Sequence, residues 1–167
     1  MDTIPKILIQ MLERESAQAR SVLSAAEGID PHYVPCSGIR PLEDLANHLA
    51  QIPIIDYKFY TTKEFSSFEQ VHTFEKELRR SAIGDLLIVF DEGVATIVKH
   101  LKRLSDESVL KKDLKAFYEQ GPKKSWAQCA PEITTHIAMH KMQLWMYLKM
   151  AGAPVSMWTY YGMSESK

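Results

Sequence analysis

The sequence predicts an all-α helical bundle, on three observations. Apolar residues recur at three- and four-residue spacing over four long stretches. No stretch carries a strong strand pattern, and Gly and Pro punctuate the chain between the periodic segments. The 167 residues are enough to bury a substantial core as one domain over 1–167, and no repeat, low-complexity tract or long linker interrupts them.

The first helix is expected over about 4–27, with Ile4, Ile7, Leu8, Met11, Leu12, Ala19, Val22, Leu23 and Ala26 on one stripe. Gly28 and the following "GIDPHYVPCSGIRP" end it, because a glycine cap and closely spaced prolines cannot continue a helix. The second helix begins near Pro41, whose fixed φ suits a first helical position, and Glu43 and Asp44 complement its dipole. Leu42, Leu45, Ala46, Leu49 and Ile52 form its buried face, His48 lies on the flank of that face, and Pro53 is expected to stop it.

The segment 53–70 is aromatic and rich in Thr and Ser without a helical period, and it is read as a loop. A third helix is expected over about 71–104, on Leu78, Ala82, Ile83, Leu86, Leu87, Phe90, Val94, Ile97, Leu101 and Leu104. Gly84 and Gly93 weaken it by propensity, so packing must hold it there. A shorter amphipathic piece follows, capped by Ser105 or Asp106. The fourth helix spans about 130–151 and stops at Gly152 and Pro154.

A formal net charge of −1 and lysine clusters interrupted by acids leave no basic stripe for nucleic acid. The N-terminus has acids and amides within its apolar pattern and lacks the apolar core and cleavage site of a signal peptide. No apolar run approaches the roughly 20 residues that span a bilayer. A cytoplasmic chain, with no membrane partner, is therefore expected. Cys36 and Cys129 fit a reducing compartment and match no zinc ribbon or redox motif; Cys36 is expected in an exposed loop.

The chemistry sits in the histidines. Residues i and i+4 of a helix are separated by about 6 Å and 400°, so His136 and His140 stand one above the other. They share a stripe with Ile133, Leu144, Tyr147 and Ala151, the face expected to turn inward. Buried imidazoles need partners, and a metal, mutual hydrogen bonds or trapped water would each serve. Ile137 stands where a zinc protease of the H-E-x-x-H type needs its glutamate, so that reading lacks its base. His48, beside an apolar face on a separate helix, is a third candidate ligand. His32, His72 and His100 are read as exposed.

Together "RPLEDLANHLAQIP" (40–53) and "TTHIAMHKMQLWMYLKMAGAP" (134–154) resemble the two signatures of the DinB/YfiT-like superfamily of metal-binding four-helix bundles. In that pattern a histidine late in the second helix joins an H-x3-H pair on the fourth. His48, His136 and His140 match these places; Lys141, Gln143, Leu144, Tyr147, Leu148 and Gly152 match the pattern that follows. The likeness runs in order along nearly the whole chain. Met142 departs from it where the family has Gly or another small residue, so a close helix approach at that position does not carry over.

The resemblance implies a DinB-like four-helix bundle with a metal site between the second and fourth helices, its ligands His48, His136 and His140. Three neutral imidazoles with an open position suit Zn²⁺, Ni²⁺ or Fe²⁺. An open position is the mark of catalytic rather than closed structural sites. The resemblance further implies a metal-dependent enzyme acting on a small molecule, as a transferase or isomerase that uses a low-molecular-weight thiol. A metal-dependent hydrolase is the alternative, and so is a non-catalytic dimeric bundle with a structural metal. Gln143 is expected to border the pocket, and Asp44 to accept the other N–H of His48; each is equally an ordinary polar residue on a helix flank. No residue is assigned a catalytic role. Met139, Met142, Trp145, Met146 and Met150 populate the other faces of the fourth helix, from which a homodimer is expected.

Overall fold

The computed structural model describes residues 2–62 and 64–163. Among them the regular elements are helices, beside one isolated bridge between Leu114 and Lys124. In chain order they are α1 (Ile4–Ser24), α2 (Leu42–Thr61), α3 (Phe68–Leu78), α4 (Ile83–Leu101), α5 (Asp106–Leu110), α6 (Trp126–Met150) and α7 (Met157–Tyr161). Helices α1 and α2 each pack against both α4 and α6, α3 rests on α2, and α7 rests on α1. None of the helices is long and apolar enough to cross a membrane.

The periodic leucines and isoleucines meet in one core. Leu12 and Leu23 of α1, Leu45 and Leu49 of α2, Ile97 and Leu101 of α4, and Ile137, Leu144 and Leu148 of α6 are all buried there. Each such side chain contributes about 1.5–3 kcal/mol by leaving water. Ile7 and Met11 lie on the solvent side of α1, so its buried stripe is narrower than the apolar pattern drawn over 4–27.

Three element boundaries differ from those expected. Helix α2 does not stop at Pro53 but runs on through it to Thr61. Residues 54–61, expected in a loop, are therefore helical. The expected third helix is two, α3 and α4, with extended backbone at Arg79 and Ala82 between them. Buried Asn47 of α2 explains the break: its side chain accepts from the Arg80 N–H (2.9 Å) and donates to the Arg80 carbonyl (2.9 Å). A side chain from another helix satisfies the backbone that would otherwise continue the helix. Helix α6 begins earlier than expected, at Trp126. The Gln128 side chain accepts the Ser125 N–H at 3.1 Å, and Pro131 falls in the second turn. As expected, Ser105 caps α5, accepting from the Ser108 N–H at 3.1 Å.

Gly93 explains how α2 passes Pro53. A Cβ built on Gly93 would lie 2.9 Å from Pro53 Cβ and 3.0 Å from the Ile54 nitrogen, so only a residue without a side chain lets α4 come this close to α2. Lys141 ties α6 to α1. It is 2% exposed, with Nζ 2.6 Å from Glu15 Oε1 and 2.6 Å from Gln18 Oε1, and the Tyr160 ring lies over the ammonium at 4.1 Å. The outer face of α6 is a row of exposed methionines: Met139, Met142, Met146 and Met150.

Gly93 and Gly84 make a paired test of that approach, since a Cβ at Gly84 meets nothing within 4 Å. On urea unfolding, Gly93→Ala is expected to lose about 1–2 kcal/mol despite its better helix propensity. Gly84→Ala is expected to be neutral or to gain up to about 1 kcal/mol.

Candidate metal centre

Helix α2 carries His48 and α6 carries His136 and His140, and the packing of these two helices brings the three rings together. The ring centroids are 4.4 Å apart for His48 and His140, 5.5 Å for His48 and His136, and 4.9 Å for the pair on α6. One nitrogen from each ring can be chosen so that all three lie within 4.8 Å of one another. Two nitrogens on a tetrahedral ion at about 2.0–2.1 Å stand about 3.4 Å apart, so small ring rotations separate this arrangement from coordination. All three histidines are half-buried.

Two neighbours hold the pair on α6 in one tautomer. His136 Nδ1 is 2.8 Å from Asp56 Oδ2, and His140 Nδ1 is 2.7 Å from Gln143 Oε1. Both oxygens only accept, so in each neutral ring Nδ1 carries the proton and Nε2 carries the free lone pair. That is the arrangement in which a carboxylate or amide orients a ligating imidazole. Burial lowers the pKa of His48 to about 3, assisted by the charges of His140, Arg40 and His136. Burial, then the charge of His136, lowers that of His140 also. Both rings are therefore neutral near pH 7, the form in which imidazole binds a cation.

Gln143 sits beside the site as the sequence suggested, as the partner of His140. Asp44 does not serve His48: its carboxylate accepts from Arg79 Nη1 at 2.7 Å, drawn away by a full positive charge. The carboxylate at the site is Asp56, which the sequence reading missed by ending α2 at Pro53. With that helix continued, residues 48 and 56 are eight apart and fall on one face, a spacing that would have identified it. His32 and His72 are exposed, beside Glu43 and Glu75 respectively. His100 is not exposed as expected. It is half-buried, with Nδ1 3.3 Å from the Tyr57 hydroxyl and its ring centroid 4.7 Å from that of Trp126. Cys36 is exposed; Cys129 is buried, and burial pushes its thiol up to about 12.

Cavities flank the histidines on two sides. His48 lines one of about 320 Å³, with Arg40, Asn47, Gln51 and Lys76. His136 lines another of about 330 Å³, walled by Asp56, Phe59, Tyr60, Phe68 and Tyr118. Both are near the lower end of small-molecule pockets. A larger cavity of about 700 Å³, between α1 and α4, touches none of the three histidines.

No family model matches the sequence, and no curated protein matches it. A solved structure does. It is the crystal structure at 1.70 Å resolution of a "putative member of the DinB family" from Exiguobacterium sibiricum 255-15. The two superpose with a TM-score of 0.70 at 18% sequence identity, over 93% of this chain and 97% of that one. At this identity the likeness speaks for the fold, and it agrees with the motifs quoted above: the chain has a DinB-like fold.

Proposed function

We propose that this chain is a DinB-like four-helix bundle, built of α1, α2, α4 and α6, that binds a divalent transition metal through His48, His136 and His140. We further propose that it is a metal-dependent enzyme acting on a small molecule. The observation that carries the reading is the convergence of three imidazoles, two of them held through Nδ1 by Asp56 and Gln143 so that Nε2 faces away from those partners. Among the described residues the cluster has three members, and no fourth His, Cys, Asp or Glu completes a closed structural site.

A divalent cation in that place supplies Lewis acidity toward a thiol or a water molecule. The protein's own residues provide the rest. Asp56 and Gln143 keep His136 and His140 in orientation, and α2 and α6 fix the angle from which His48 meets them. Phe59, Tyr60, Phe68 and Tyr118 offer an apolar wall beside His136 for the uncharged part of a substrate. Thiol-dependent transfer or isomerisation is the reaction we favour, on the strength of the sequence motifs, with hydrolysis as the alternative. We also read the chain as cytoplasmic and as a homodimer; the exposed methionine row of α6 supplies an apolar surface for a second copy.

Titration with Zn²⁺ or Ni²⁺ is expected to raise the melting temperature of wild-type protein at one equivalent. His48→Ala and His140→Ala abolish that rise, whereas His100→Ala keeps it. An unchanged melting temperature in wild type would overturn the metal centre. Asp56→Ala keeps all three ligands but frees the His136 ring, and is expected to weaken metal affinity about 10- to 100-fold in a competition titration.

Proton linkage gives an independent measurement on metal-free protein. His48 takes up a proton near 6.5 when unfolded and near 3 when folded. Between those values the unfolded chain holds more protons, so stability rises with pH through this window and is flat with respect to His48 above it. Urea midpoints are expected to fall from pH 7 to pH 5, above the carboxylate range, and His48→Gln is expected to flatten that fall.

A further inference from the structure

The cavity beside His48 is unevenly charged. Of its two acidic side chains, Asp44 is paired with Arg79 at 2.7 Å, while Glu75 lies 2.7 Å from Nδ1 of the His72 ring. Arg40 and Lys76 line the same cavity, and neither makes an ion pair with a carboxylate of the described residues. Three basic side chains, Arg40, Lys76 and Arg79, thus line the cavity against two acidic ones, an excess of one positive charge beside His48 in a chain whose formal net charge is −1.

The backbone of Arg40 is held in place, and its side chain is exposed. Its backbone carbonyl accepts the Tyr147 hydroxyl at 3.1 Å, and Tyr147 is buried on the same stripe of α6 as His136 and His140. The residue therefore moves with the helix that carries two of the three imidazoles. Its charge reaches the cluster, where it disfavours protonation of both His48 and His140. A guanidinium is a planar fork that suits a carboxylate or phosphate, and it remains charged at any working pH.

We propose that Arg40, together with Lys76, is the anion-recognition side of the histidine cleft, and that the substrate is a small molecule bearing a carboxylate or phosphate. The anionic group pairs with the Arg40 fork, which directs the remainder of the molecule toward the imidazoles. The proposal deepens the metal-centre reading and rests on it for the reaction, but the binding step can be measured apart from it.

The test uses the full chain loaded with Co²⁺, with malonate and inorganic phosphate as probes and malonamide as the neutral control, followed by calorimetry and the visible spectrum. Wild type is expected to bind both anions and not malonamide. Arg40→Gln is expected to weaken anion binding about five- to tenfold with Co²⁺ uptake unchanged. Arg40→Lys retains part of the affinity, and Lys112→Gln, at an exposed lysine that does not line this cavity, retains all of it. Equal anion affinity in wild type and Arg40→Gln overturns the proposal, as does a wild type that binds neither anion. If no Co²⁺ is taken up, the metal reading fails by itself, and malonate is then titrated into metal-free protein while the imidazole NMR signals are followed. A malonate-dependent shift of the His48 signals that disappears in Arg40→Gln supports the proposal; no shift in wild type overturns it.

Discussion

A proline inside a helix deletes one N–H and presses its ring on the carbonyl four residues back, at a cost of about 3 kcal/mol. Pro53 imposes that cost on α2, yet the helix continues for two more turns. Contact with α4 offsets it. Gly93 offers a surface without a side chain, so the backbone of α4 comes against Pro53 and Ile54, and Ile52 and Ile55 remain buried on either side of the proline. The candidate site depends on this continuation. If α2 ended at Pro53, Asp56 would not stand eight residues along the same helix from His48, and His136 would lose the carboxylate that orients it.

The electrostatics of the cluster follow from its depth. Partial burial makes a charged imidazole expensive, and three rings so close together make a second charge more so. His48 and His140 are accordingly neutral over the physiological range. Neutrality leaves each ring one donor and one acceptor. Asp56 and Gln143 lie against Nδ1 of the pair on α6, which fixes the orientation of both rings. The same helix buries Ile137, Leu144 and Leu148 next to this polar edge, so the core anchors the site.

Polar side chains of α2 shape the cavity as much as its apolar ones shape the core. Asn47 pairs with the backbone of Arg80, and Gln51 donates to the Glu75 carbonyl at 3.0 Å. Both are buried, and both flank His48 in the sequence. They fasten α3 and its following turn over α2, forming a wall of the cavity that His48 lines. Arg79, fixed by Asp44 and Glu43, closes the same edge.

Much of this was legible in the sequence. Helical periodicity located α1, the first half of α2, most of α4 and α6, because a repeat of three and four residues follows from backbone geometry and needs no partner. The histidine pair was legible for the same reason, and His48 from its place beside an apolar face. Tertiary contacts decided the rest. Proline is a stop signal only when nothing offsets it, and Gly93, forty residues away, could not be assigned to Pro53 from local pattern. Asn47 breaks the expected third helix by bonding to a backbone 33 residues distant. Asp44 was a sound local choice as partner for His48 until Arg79 arrived from another helix with a full charge. Local sequence determines which face a residue occupies; which neighbour it meets there is settled by packing between segments far apart in the chain.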